Sequence, residues 1–364
     1  MQAIGIRKGR KEAELFSLPE PKISRPDEVL LEMASVGVCL TDKDIIENSL
    51  VDSPPGEDRL IIGHEAVGRV AGVGKAVRWL KKGDYASIIA RHGCNICQPC
   101  KTGRSDYCET GLYTSSGQHK RHGFNMEYYV ESESYLVKVP DKLADVAALV
   151  EPFSIIEKAL EQIEHIQGRI PTYRLEKRKA LVFGMGSVGM AAIATLRARG
   201  IETHVLGRRG PEDIKVKLVK EMGAKYINIR EKNVIDIRKE HGTFDIIIEA
   251  TGATQMVIDL IEIMGRNGIY VFLGIPKGAE ELCFNIKGMI NKLVRQNLVI
   301  CGSVNSQRPH FEAAITDMAA IQKKYNNVLN RIITERYNIK DYKKAFAPDE
   351  GEGHIKAVIE YKKV

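Results

Sequence analysis

Four cysteines crowd into one short stretch, Cys94, Cys97, Cys100 and Cys108, in the spacing C-x2-C-x2-C-x7-C. Thiolates brought together by short loops close a tetrahedral shell around Zn2+ and leave no position for water, so this pattern predicts a structural metal site. The chain has seven cysteines in all, and an odd number clustered in this way argues against a framework of disulfides. A second set is dispersed: Cys39 in Gly37-Val-Cys39-Leu-Thr41-Asp42, then Gly63-His64-Glu65, then Glu151-Pro152. A soft thiolate, an imidazole and one or two carboxylates form a mixed shell that can open a position for an incoming oxygen. Taken singly, the same residues also read as a core cysteine, a structural histidine and a helix-capping acid.

The third set is glycine-rich. Lys179-Ala-Leu-Val-Phe is followed by Gly184-Met185-Gly186-Ser187-Val188-Gly189, a strand that ends in Gly-x-Gly-x-x-Gly and opens a helix. In that setting Gly184 permits a tight turn, Gly186 lets a pyrophosphate approach the backbone, and Gly189 lets helix and strand pack closely. A second strand should end on an acid if a ribose 2′-hydroxyl is to be held, but the chain reads Leu206-Gly207-Arg208-Arg209. Two guanidiniums suit the 2′-phosphate of NADP, with NAD also admissible because no carboxylate stands there; the competing reading is an exposed basic turn. Thr251 in Ala250-Thr251-Gly252, and Leu273 and Ile275 around Gly274, fall at further strand ends on the carboxyl edge where a dinucleotide lies.

The elements that position these sets divide by texture. Over roughly the first 150 residues, short β-branched runs such as Glu28 to Val38, Ala66 to Val73 and Tyr85 to Ala90 alternate with Gly, Pro and Asp, which predicts a β-rich region. From Lys179, strands at Ala180 to Phe183, Thr203 to Leu206, Asp245 to Glu249, Ile269 to Leu273 and Leu298 to Cys301 alternate with helical patterns, which predicts a parallel sheet covered by helices. A helix near Phe311 to Tyr325 and a strand near Ile355 to Tyr361 do not extend that alternation and are expected to complete the first domain. The expected domains are 1–175 completed by 306–364, and 176–305.

With 44% hydrophobic and 28% charged residues the composition is that of a folded globular chain. The net charge of +7 comes from basic pairs such as Lys81-Lys82 and Lys343-Lys344 scattered among acids, so no nucleic-acid partner is expected. The uncharged stretch from Ala180 to Leu196 is shorter than the roughly 20 residues that cross a bilayer and is broken by glycines. Met1 to Ile6 runs directly into Arg7, Lys8, Arg10 and Lys11 without an apolar segment, so no membrane association and a cytoplasmic location are expected.

Gly63-His64-Glu65-x-x-Gly68-x5-Gly74-x-x-Val77, the cysteine lobe and the glycine turn occur in one order, and over essentially its full length the chain resembles the zinc-containing medium-chain dehydrogenases. Cys39-x-Thr41-Asp42, Glu151-Pro152 with Ile156-Glu157-Lys158, Arg208-Arg209 and Gly302-Ser303-Val304-Asn305 look most like the archaeal glucose 1-dehydrogenase branch. The resemblance implies an α/β chain with a GroES-like β-rich catalytic domain and a Rossmann doubly wound parallel-sheet domain, with two Zn2+ per subunit. It implies that Cys39, His64, Glu65 and Glu151 surround a catalytic zinc and that Thr41 and Asn305 lie near substrate. Asn305, with Val304 beside it, would also reach the nicotinamide. The implied reaction passes hydride from the C1 hydroxyl carbon of glucose or a related aldose to NADP or NAD, giving a gluconolactone, in a homodimer or homotetramer. Some sugar-oxidising relatives place carboxylates where this chain has Ser115 and Ile155. The alternatives are a zinc dehydrogenase of a polyol, threonine or a simple alcohol, and, from another class, a zinc-stabilised binding protein without catalysis.

Overall fold

The computed structural model describes all residues except 277–283, 348–352 and 363–364. Two compact units emerge: Met1–Ser154 with Asn305–Ala319 and Leu329–Val364, and Ile155–Val304 with Ala320–Val328. The division falls at Ser154/Ile155, inside the helix Val150–Gln167, whereas the change of sequence texture places it near 175/176.

The first unit is built on a seven-stranded sheet whose longest member is Glu28–Val38. Along that strand Val29, Leu31 and Met33 are fully buried while Leu30 and Glu32 are only partly so, the period-two pattern of a strand with one face on a core. From Met33 to Val38 every residue is buried, because the strand is here flanked on one side by Glu65–Val73 and on the other by Lys356–Glu360. Gly37 stands opposite Glu65, and Val38 opposite Ala357. The final strand expected near Ile355 to Tyr361 is therefore a central strand of the first unit, paired antiparallel to Glu28–Val38. Val36, Ile61, Ala66, Phe124 and Leu136 fill the core beside the sheet. Residues 91–121 add a small three-stranded sheet of Arg91–His92, Thr114–Ser116 and Lys120–Arg121.

The second unit is a six-stranded parallel sheet in the order Lys225–Asn228, Glu202–Gly207, Lys179–Phe183, Phe244–Glu249, Met264–Phe272, Val299–Gly302. The chain builds outward from Lys179–Phe183 in one direction and then from the same strand in the other. The reversal opens a crevice at the carboxyl ends of Lys179–Phe183 and Phe244–Glu249, where ligands bind in doubly wound sheets. Leu181, Phe183, Leu206, Ile247 and Tyr270 are buried beneath the covering helices.

Candidate functional site

Cys39 precedes the helix Leu40–Glu47 as its N-cap. Its backbone N–H donates to Asp42 Oδ2 at 2.9 Å, which fixes the turn that carries the thiol. The other oxygen of Asp42 accepts the Gly63 N–H at 3.0 Å and lies 3.5 Å from His64 Nδ1. Gly63 has φ of 92°, and a Cβ there would stand 2.4 Å from the Asn125 amide nitrogen, so only glycine admits this close turn. One atom each of Cys39, His64 and Glu65 lies within 4.8 Å of the others. Thr41 is beside them, its hydroxyl accepting from Cys39 Sγ at 3.7 Å.

Three acidic side chains, Asp42, Glu65 and Glu151, influence one another at this triad. Burial opposes a charge on His64, yet Asp42 and then Cys39 outweigh it and hold the imidazole pKa well above its ordinary value. Burial, reinforced by the neighbouring Glu65 carboxylate, pushes the Glu151 carboxyl up to about 7. A thiol and a buried imidazole gathered with buried acidic side chains mark a site that suits a cation. A thiolate, an imidazole and carboxylates are donors that suit Zn2+. Glu151 lies outside the set whose donor atoms meet within 4.8 Å but within electrostatic reach of Glu65 and His64.

Lys356, which sequence reasoning did not single out, is 1% exposed and pairs with Glu65 Oε2. Its ammonium also donates to the Val38 carbonyl at 3.0 Å. Asp42 appeared in the sequence motif without a role. An acid three residues after Cys39, in Cys39-x-Thr41-Asp42, was the signal available for it; none marked Lys356.

Cys94, Cys97, Cys100 and Cys108 form the second cluster, each sulfur within 4.8 Å of the others. The Thr110 hydroxyl, then the N–H groups of Cys97 and Ile96, bring the Cys94 thiol down to about 5. Burial and the neighbouring thiols push Cys100 up to about 12. The donors suit a four-thiolate zinc shell.

In the second unit the three glycines stand as the motif requires. Gly184 has φ of 116° and touches Thr251, whose Cγ2 would be 2.7 Å from a Cβ; a Cβ on Gly189 would meet the Gly184 carbonyl at 2.3 Å; Gly186 faces open space. Gly186 caps the helix Ser187–Ala198, which carries Ser187, Val188 and Gly189. A cavity of about 160 Å3 is lined by Gly184, Met185, Gly186, Arg208, Arg209 and Thr251, with Lys215. Leu273, Ile275 and Val304 do not line it; Ile275 and Val304 are exposed, and the Gly252 turn packs on the Ile275 carbonyl. Glu249, missed from sequence, is buried at the strand end and accepts the N–H groups of Thr251 at 2.6 Å and Gly252 at 3.0 Å, which shapes that turn. Asn305 belongs to the first unit at φ of 61°; with its amide oxygen turned toward Arg91 it accepts from Nε at 3.0 Å.

Residues 144–361 match the family described as "Glucose dehydrogenase C-terminus" and residues 25–141 the "Alcohol dehydrogenase GroES-like domain". The chain is 33% identical to a glucose 1-dehydrogenase of Methanocella arvoryzae and 36% identical to glucose 1-dehydrogenase 2 of Vulcanisaeta moutnovskia, over 99% of both chains in each case. Among solved structures it is similar to the Haloferax mediterranei glucose dehydrogenase in complex with NADP, Zn and gluconolactone, at 29% identity with a TM-score of 0.90 and 100% of both chains covered. With a GroES-like segment joined to a doubly wound parallel sheet and full-length kinship to these enzymes, the chain belongs to the zinc-containing medium-chain dehydrogenases, in their glucose dehydrogenase branch.

Proposed function

We propose that this protein is a zinc-dependent glucose 1-dehydrogenase that oxidises the C1 hydroxyl of glucose, or of a related aldose, to the lactone and reduces NADP, with NAD as a second acceptor. The observation that carries the reading is the meeting of Cys39, His64 and Glu65 donor atoms in a chain matched end to end by glucose 1-dehydrogenases. Cys39 and His64 would hold the catalytic zinc, with Glu65 or Glu151 as the exchangeable donor. Zn2+, when bound, supplies a Lewis acid of the kind that lowers the pKa of water from about 15.7 to about 7. Thr41, directly or through a water, would relay the C1 hydroxyl proton by accepting it while passing its own proton on to solvent, and bound NADP would supply the acceptor for the hydride leaving C1. Substrate is positioned by Thr41, Glu151 and Asn305.

The glycine turn and the N-terminus of helix Ser187–Ala198 receive the pyrophosphate, and Arg208 and Arg209 receive the 2′-phosphate. Thr251, Leu273, Ile275, Val304 and Asn305 complete the dinucleotide contacts. Cys94, Cys97, Cys100 and Cys108 hold a second, structural zinc. In this reading residues 1–175, completed by 306–364, form the catalytic domain and 176–305 the dinucleotide domain.

The protein works as a homodimer or homotetramer in the cytoplasm. Among the described residues no helix is long and apolar enough to cross a membrane. Self-association is supported by the edge strand Val299–Gly302 and by Ile286, Ile290 and Val294, exposed apolar residues spaced four apart along the helix Ile286–Gln296.

The test is NADPH formation by the purified protein across aldoses, polyols, threonine and simple alcohols, with zinc measured on the same sample. Glucose or a related aldose should give the highest kcat/KM, and His64→Ala should abolish turnover while sparing dinucleotide binding. Turnover confined to threonine or simple alcohols, or retained by the variant, would overturn the assignment.

A further inference from the structure

The basic turn after strand Glu202–Gly207 is held from outside itself. The Tyr226 hydroxyl, on the neighbouring strand Lys225–Asn228, accepts the Arg209 N–H at 2.9 Å and donates to the Arg209 carbonyl at 2.8 Å. A single side-chain oxygen thus satisfies both backbone polar groups of one turn residue, which pins its dihedral angles from two directions. The phenol ring is equally constrained. A Cβ on Gly207 would lie 3.0 Å from Tyr226 Cε2 and 2.4 Å from Met185 Cε, so only a glycine here leaves room for both the ring and the Met185 side chain. Farther along, Asp213 caps the helix Ile214–Glu221 by accepting the Lys215 N–H at 2.8 Å, and its other oxygen is 3.7 Å from Arg209 Nε. Arg209 is anchored at its backbone by Tyr226 and at its side chain by Asp213.

We infer that Tyr226 is a positioning residue for cofactor choice: by locking the Arg209 backbone it preorganises the paired guanidiniums for a 2′-phosphate. The inference rests on the NADP reading of Arg208 and Arg209. Tyr226 acts only through Arg209. An unlocked turn must be ordered when the ligand arrives, and that ordering is subtracted from the affinity. The loss falls on one class of ligand. A 2′-phosphate draws charge-assisted hydrogen bonds from correctly placed guanidiniums, whereas a ribose 2′-hydroxyl gains little from them. The pyrophosphate is received by Gly184 to Gly189, and removal of the hydroxyl leaves the Tyr226 ring in place beside Gly207.

The experiment is titration calorimetry of Tyr226→Phe with 2′,5′-ADP and 5′-AMP, and then with NADPH and NADH. The Kd for 2′,5′-ADP and NADPH should rise about tenfold, equivalent to about 1.4 kcal/mol, while 5′-AMP and NADH change less than about twofold. Equal weakening of both classes would make Tyr226 a general structural residue and overturn the inference, as would unchanged binding of 2′,5′-ADP. The double variant Arg208→Ala/Arg209→Ala, titrated alongside, separates the two levels. If the parent protein shows no preference for 2′,5′-ADP over 5′-AMP, or the double variant keeps that preference, the NADP reading falls and takes this inference with it. If the double variant loses the preference while Tyr226→Phe retains it, the inference about Tyr226 alone is wrong.

Discussion

Asp42 joins two motifs that lie apart in sequence. It fixes the Cys39 turn through the Cys39 N–H and the His64 turn through the Gly63 N–H, so the thiol and the imidazole are placed by one buried carboxylate. Lys356 balances the same pocket from the opposite end of the chain, paired with Glu65 and tethered to Val38. Removing one member of a buried ion pair leaves the other charge uncompensated, at a cost of about 3–5 kcal/mol. Lys356→Met should destabilise the zinc-free protein by that order, and bound zinc should offset much of the loss. Thermal unfolding of parent and variant, zinc-loaded and chelated, should show a larger zinc-dependent rise in Tm for the variant; equal rises would count against this role. Cys39 and His64 could be read from the sequence because thiol and imidazole are uncommon residues in short signatures. Lys356 could not, since a lysine near a chain end ordinarily reads as a solvated surface residue.

The strand Glu28–Val38 is started by its own first side chain. The Glu28 carboxylate accepts the N–H groups of Ser24 at 2.7 Å and Arg25 at 2.9 Å, with Arg25 Nε at 2.9 Å. The backbone N–H groups of Arg25 and Ser24 lead in lowering its pKa from 4.5 to about 2. A carboxyl whose pKa is depressed on folding stabilises above its unfolded value and loses that contribution as pH falls through its folded value. Glu28→Gln should therefore lower stability near neutral pH by about 1–3 kcal/mol, and the gap from parent should close between about 4.5 and about 2. Denaturant titrations across that range measure it, and a gap independent of pH would refute the carboxylate's part.

Other elements were legible to differing degrees. Strands expected at Ala66 to Val73 and Tyr85 to Ala90 are observed at Glu65–Val73 and Tyr85–Ile88, and the helix expected from Phe311 begins at Arg308, Pro309 being tolerated in a first turn. Lys225–Asn228 was missed: an edge strand of four residues with one β-branched member carries little pattern.

At the scale of the whole molecule, the sheet of the second unit ends on one side in Val299–Gly302, beyond which no further strand is paired among the described residues. If self-association uses this region, Ile290→Asp with Val294→Asp should shift the protein to a smaller species in light scattering. A parent that is already monomeric, or a variant of unchanged mass, would rule that out.

The sequence by itself determined the chemistry that short spacing controls. The cysteine lobe and the glycine turn each span so few residues that their geometry follows from local chain constraints, and both stand as their spacing requires. Only the tertiary structure decided what surrounds them. Val38 and Lys356 are separated by 318 positions and meet because Lys356–Glu360 pairs with Glu28–Val38. Tyr226 reaches Arg209 because adjacent parallel strands place a phenol beside a turn. Such partners depend on which strands pair and in which register, a property of the whole chain that no local pattern encodes.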